Sequence, residues 1–107
     1  MKDTDEKIQE MQFLEQNFQN VLLQKQAFHM EASETKSALK EIENSGDEVF
    51  KIVGQLMIKV DKKKMKEELT NKEKFLDLRL KNLEKQEITL AEQLENLRDK
   101  IMKDSKK

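Results

Sequence analysis

Apolar residues recur along this chain with two different periods. From Met11 to Ile42 they fall alternately three and four residues apart. Position a of a heptad holds Met11, Phe18, Lys25, Ala32 and Leu39, and position d holds Leu14, Val21, Phe28, Thr35 and Ile42, apolar except at Lys25 and Thr35. A seam sustained over about five heptads predicts a coiled-coil helix rather than an ordinary amphipathic one. Asp3 is placed to cap this helix, with Glu6 three residues on able to reach back to it. Asn44-Ser45-Gly46 is placed to end it, with Gly46 in the left-handed position that follows many helices. A second seam has d at Leu69, Leu76, Leu83, Leu90 and Leu97, and a at Lys66, Glu73, Leu80, Glu87, Leu94 and Ile101. Asp61 is its expected N-cap, and Lys103, Lys106 and Lys107 suit the negative end of its dipole.

Between the two seams the period changes. VFKIVGQLMIKVD, Val49 to Asp61, holds two short runs of β-branched and apolar residues joined by Gly54-Gln55. A Gly-X loop between such runs predicts a β-hairpin, because Gly at the first loop position accepts the positive φ of a type II′ turn. Strands are expected at Val49 to Val53 and Leu56 to Val60. Pairing Val53 with Leu56, Ile52 with Met57 and Phe50 with Lys59 puts Phe50, Ile52 and Met57 on one face. Val49, Val53, Leu56, Ile58 and Val60 then share the other. A two-stranded ribbon that is apolar on both faces is marginal alone in water, so strands from other chains are expected to cover it. The competing arrangement is a hairpin folded down onto its own helices.

The two helical arms are of nearly equal length, each about 40 residues or roughly 60 Å, and the connection between them is short. They are therefore expected to fold back antiparallel, which brings a opposite d. One register satisfies the layers: Met11 with Leu97, Leu14 with Leu94, Phe18 with Leu90, Phe28 with Leu80, Ala32 with Leu76, and Leu39 with Leu69. In that register Val21 faces Glu87 and Lys25 faces Leu83, so Lys25 and Glu87 lie about one layer apart and can pair across the seam. A polar interruption of this kind fixes register. The expected fold is mainly α: a long antiparallel intrachain two-helix coiled coil with one central β-hairpin. Its parts are residues 1–44, the first coiled-coil helix, residues 45–61, the loop and hairpin, and residues 62–107, the second coiled-coil helix.

Composition sharpens this picture. The 107 residues are 40% charged and 36% hydrophobic, with no Pro and only two Gly, which favours an elongated helical assembly over a globular core. Twenty-one basic and 22 acidic residues leave a net charge of -1 with the signs interspersed, which argues against nucleic acid as a partner. Cysteine is absent, so thiol chemistry and disulfides are excluded. No apolar run approaches the roughly 18 residues of a membrane span and the first residues have no signal-peptide core, so a soluble cytoplasmic protein is expected. Gly46 and Gly54 are the only glycines and cannot build a phosphate loop. A lone His29 beside the seam cannot make a recognisable metal site. Neither an enzyme nor a cofactor-binding protein is expected.

Apolar residues outside the seam are the remaining signal. Phe13, Leu22, Leu23, Met30, Phe75, Leu78, Ile88 and Met102 fall where a two-helix coil leaves side chains exposed, and scattered exposure is ordinary for any one of them. The end remote from the hairpin differs, because Ile8, Met11, Phe13, Leu14 and Phe18 share it with Leu94, Leu97, Ile101 and Met102. Phe, Met and Leu gathered there make an adaptable surface suited to many weak partners.

VLLQKQ at Val21 to Gln26, VFKIVGQLMIKVD at the bend, and LDLRLKNLEKQE at Leu76 to Glu87 together resemble the prefoldin family, most closely its archaeal β-type subunits. One hairpin between the helices is the β-type pattern, and the likeness covers nearly the whole chain. The resemblance implies a hetero-hexamer of two α-type and four β-type subunits, whose hairpins join into an oligomeric β-barrel and whose coiled coils hang from it. It implies an ATP-independent chaperone, a holdase, that captures unfolded client proteins at the coiled-coil tips and delivers them to a group II chaperonin. Assembly would then fall on Val49, Phe50, Ile52, Val53, Leu56, Met57, Ile58 and Val60. Client binding would fall on Ile8, Met11, Phe13, Phe18, Leu97, Ile101 and Met102. The alternative is a structural or scaffolding coiled coil, or a filament-forming prefoldin-like protein.

Overall fold

A computed structural model describes residues 2–105, with Lys2 described by its backbone alone. Lys106 and Lys107, expected as cations closing the second helix, lie outside the described residues. In chain order the elements are α1 (Lys2–Asn44), β1 (Val49–Val53), β2 (Leu56–Val60) and α2 (Lys62–Ser105). Contacts within the chain divide it into two units. One joins Met1–Ala27 to Leu80–Lys107, and the other is Phe28–Arg79.

In the first unit the helix segments run antiparallel. Lys7 Nζ lies 2.5 Å from Asp104 Oδ2 and Lys25 Nζ lies 2.8 Å from Glu87 Oε2. Ascending order on α1 thus meets descending order on α2, as the heptads require. Val21, Leu80, Leu83, Leu94 and Leu97 are buried, and Met11, Leu14, Phe18, Leu90 and Ile101 are half-buried along the same stripe. Each fully buried Leu or Val contributes about 1.5–3 kcal/mol, which is what holds two helices this rich in charge together. The Lys25–Glu87 pair closes the polar break in the seam as its spacing predicts.

The second unit holds the end of α1, the hairpin and the start of α2. Leu76 is fully buried, with Ala32, Ile42 and Val49 buried as well. Thr35, the polar residue at a d position, is buried too. Its hydroxyl donates to the Glu31 carbonyl at 2.8 Å, so the seam carries no unsatisfied group there. The Arg79 guanidinium stands 5.5 Å from the centre of the Phe28 ring and covers it. Glu31 and Lys72 pair at 3.1 Å, and Glu43 and Lys66 at 3.6 Å.

The hairpin has the expected strands and register, Val49 opposite Val60, Ile52 opposite Met57 and Val53 opposite Leu56. Gly54 has φ of 62°, and no other described residue has positive φ, so Gln55 does not share it. That excludes the type I′ turn, which needs positive φ at both loop positions, and leaves type II′.

Three local expectations are corrected. Asp3 lies inside α1, in its first turn with Asp5, where both carboxylates face the positive end of the helix dipole without capping it. Gly46 is not in the left-handed region. The end of α1 is closed by Ser45, whose amide and hydroxyl reach the Ile42 carbonyl at 3.2 and 2.8 Å. Lys66, assigned to the second seam, is exposed, and Met65 is half-buried in its place. A thioether is cheaper to bury than an ammonium group, which stays in water beside Glu43.

Asp61 precedes α2, and its carbonyl accepts from the Met65 amide at 3.0 Å. The last turn of α1 has no basic residue, and Lys62 Nζ instead donates to the Ser45 carbonyl at 2.9 Å.

Candidate assembly and client-binding surfaces

The hairpin presents most of its apolar side chains outward. Ile52, Met57 and Leu56 are 73%, 70% and 67% exposed, and Phe50, Val53 and Ile58 are exposed as well. Register explains the arrangement. Cross-strand partners share a face, so Ile52 and Met57 lie on one side with Phe50, while Val53, Leu56 and Ile58 lie on the other. Val49 is buried and Val60 half-buried within this chain, so these two of the eight expected assembly residues anchor the ribbon from inside. The hairpin is therefore not folded down onto its own helices: six apolar side chains on two faces face solvent in the single chain.

A second apolar group lies in the first unit, at the end farthest in sequence from the hairpin. Ile8, Phe13 and Met102 are exposed, and Met11, Phe18 and Ile101 are half-buried. Leu97 differs from expectation, because it is buried in the seam and presents no surface. It sits at d, where facing apolar residues cover it, whereas Phe13 at c and Met102 at b lie on faces that two helices cannot cover. Leu23, Met30, Phe75, Leu78 and Ile88 are exposed at other outward positions.

One feature that apolar periodicity does not signal lies in the first unit. A groove of about 550 Å³ is floored by Val21 and Leu90 and flanked by the carboxamides of Asn17, Asn20, Gln24 and Gln86.

The electrostatics concern stability and register. Lys7 and Lys25 are both held above the usual lysine value of 10.5. The main cause is the hydrogen bond each donates, to Asp104 and Glu87 respectively, against partial dehydration that works the other way. Groups with raised values stabilise the folded chain fully below pH 10.5, and the contribution fades as pH rises through those values. The wild-type chain should accordingly lose melting temperature relative to Lys25→Met between about pH 8 and about pH 11. An unchanged difference would show that the pair contributes nothing. Among the described residues no group of three His, Cys, Asp or Glu is placed to hold a metal ion, and His29 is exposed. Among the same residues no helix is long and apolar enough to cross a membrane.

Two helices joined by one hairpin, with exposed apolar side chains on the hairpin, near the far ends of the sequence arms and at scattered outward positions between, define a class of coiled-coil subunit. Comparison with known proteins agrees. Residues 5–107 match the family described as Prefoldin subunit. The prefoldin subunit beta of Thermococcus onnurineus (strain NA1) is 45% identical over 89 residues, covering 81% of this chain and 77% of that one. That of Thermococcus kodakarensis is 40% identical over 94 residues, covering 86% and 80%. The crystal structure of the prefoldin beta subunit from Thermococcus strain KS-1 superposes with a TM-score of 0.83 at 37% identity, covering 94% of this chain and 90% of that one. The chain belongs to the prefoldin family, and the relatives it matches are β-type subunits.

Proposed function

We propose that this chain is a subunit of an ATP-independent holdase, assembled through its hairpin and holding unfolded proteins at the helix ends remote from it. Membership of a chaperone family gives the class of activity. The observation that carries the residue assignment is the division of exposed apolar surface between the two units. Apart from the scattered Leu23, Met30, Phe75, Leu78 and Ile88, the second unit offers Phe50, Ile52, Val53, Leu56, Met57 and Ile58 on a two-faced ribbon, and the first offers Ile8, Phe13 and Met102 near the chain ends. A ribbon of this kind is completed by strands from other chains, and flexible Met and Phe side chains adapt to varied clients.

The partners this reading requires are an α-type subunit, in a hetero-hexamer of two α and four β chains, unfolded client proteins, and a group II chaperonin that receives them, all in the cytoplasm. Mechanistically, each helix end holds a client weakly, and several ends acting on one client raise the avidity without a tight single site. Release then needs no nucleotide, because each weak contact opens by itself. Met11, Phe18 and Ile101 add the half-exposed margin of the client surface, while Leu97 belongs to the packing beneath it. The comparisons add nothing in favour of a purely scaffolding coiled coil.

The assembled complex should suppress aggregation of denatured lysozyme during its dilution from denaturant. Replacing Ile8, Phe13 and Met102 by Ser should raise the amount of complex needed about tenfold, the effect of losing roughly 1.4 kcal/mol of apolar contact. Because all three side chains are exposed, native mass and helicity should not change. Undiminished suppression by the variant would overturn the client assignment.

A further inference from the structure

The groove beside Val21 and Leu90 is the least expected feature of the first unit. It is flanked by Asn17, Asn20 and Gln24 from α1 and by Gln86 from α2. A carboxamide offers two N–H donors and a carbonyl acceptor, and none of these four bonds another protein group among the described residues. Lys85 brings the one charge to the rim, and the Thr89 hydroxyl is committed to the Lys85 carbonyl at 3.0 Å.

The α1 side of the groove is equally neutral. In a chain that is 40% charged, α1 carries no charged residue between Glu15 and Lys25, where its exposed positions are Gln16, Gln19, Asn20, Leu23 and Gln24. Solubility alone would be better served by Lys and Glu, which recur at exposed positions along the rest of both helices. A neutral, hydrogen-bonding wall over an apolar floor suits a ligand with the same character. An unfolded main chain has it, with one donor and one acceptor per residue and no net charge. A folded protein offers few of these groups, because its own helices and sheets use most of them. From Asn17 to Gln24 the groove wall runs seven residues of helix, about 10 Å, which matches about three residues of extended chain.

We infer that the groove formed by Asn17, Asn20, Gln24 and Gln86 holds an extended stretch of unfolded polypeptide by hydrogen bonds to its main chain. This rests on the holdase reading and deepens it: apolar side chains such as Phe13, one helical turn before Asn17, supply adhesion, while the groove supplies recognition of the unfolded state itself. Client choice is then independent of sequence, since every residue except proline carries the same two groups.

The test uses the full-length chain in its native assembly and two labelled peptides. One is a short, unstructured peptide of Leu, Ser and Gly, and the other is the same peptide N-methylated at alternate residues. N-methylation removes N–H donors and adds apolar surface, so a purely hydrophobic site would bind the methylated peptide at least as well. The expected result is binding of the unmethylated peptide about tenfold more tightly, the worth of one or two net hydrogen bonds. The variant Asn20→Ala, Gln24→Ala, Gln86→Ala should lose that preference, whereas Phe13→Ser should weaken both peptides alike. Equal binding of the two peptides by wild type overturns the groove assignment and leaves the holdase reading standing, a result that needs no variant to fold. A fall in native mass of the triple variant also overturns it, by assigning the groove to contact between copies. Failure of wild type to bind either peptide, together with no suppression of aggregation, overturns the holdase reading and the groove with it.

Discussion

A chain carrying Ile52→Asp and Ile58→Asp should run in native mass measurement as a smaller species than wild type, with its helical signal unchanged. The two positions lie on opposite faces of the ribbon, so one substitution reaches each face. Both side chains are exposed in the single chain, and neither supports the fold of the helices. In an assembly each buried Ile is worth about 1.5–3 kcal/mol. Its replacement by a carboxylate loses that and adds the cost of enclosing an unpaired charge. The penalty is incurred at every hairpin of the assembly, so the loss should be complete at micromolar concentration. An unchanged mass would remove the hairpin from the assembly role.

The second large effect concerns the seam. Leu76 and Leu78 are two residues apart on one helix and differ only in which way they face, 1% against 62% exposed. Leu76→Ala should destabilise the chain by about 2–5 kcal/mol, the transfer loss of a buried Leu plus the cavity it leaves. Leu78→Ala should fall within about 0.5 kcal/mol of wild type. Denaturant unfolding followed by helical signal measures both. Equal effects would mean that another surface covers Leu78, or that the seam does not pass through Leu76.

Where one residue type has one cheap solution, the sequence is a sufficient guide. Leu at every seventh position can be buried only on one stripe, and Gly54 between two apolar runs leaves a single turn and a single register, so helix pairing, strands and cross-strand partners were all legible. The Lys25–Glu87 pair was legible for the same reason, since only one register lets both reach each other. The misses occur where two solutions cost nearly the same. Ser45 and Gly46 can each end a helix, and the hydroxyl of Ser45 closed it before a left-handed glycine was needed. Lys66 and Met65 compete for one turn of the seam, and heptad counting follows spacing without regard to the cost of burying an ammonium group. Leu97 was grouped with Phe13 and Met102 because all three lie near one end of the helices, but nearness along the axis says nothing about which way a side chain faces. The carboxamide groove escaped because hydropathy treats Asn, Gln, Lys and Glu alike; its signal was the gap in charge between Glu15 and Lys25, where polar residues persist without ions.

The two-stranded sheet has a further consequence. With β1 and β2 of five residues each and no third strand among the described residues, each strand has a hydrogen-bonded neighbour on one side and an open edge on the other. In the language of valence such a hairpin is divalent: it is a link, with no capping side. Links joined edge to edge leave two reactive ends on every open series, however long, and none on a series that closes. On the proposed assembly through the hairpin, incomplete assemblies should stay adhesive until the last chain is added, with closure the step that makes the product inert. Partial assemblies should be scarce at equilibrium, and the supply of a matching partner chain, more than the affinity of any one contact, then governs how much complete complex exists.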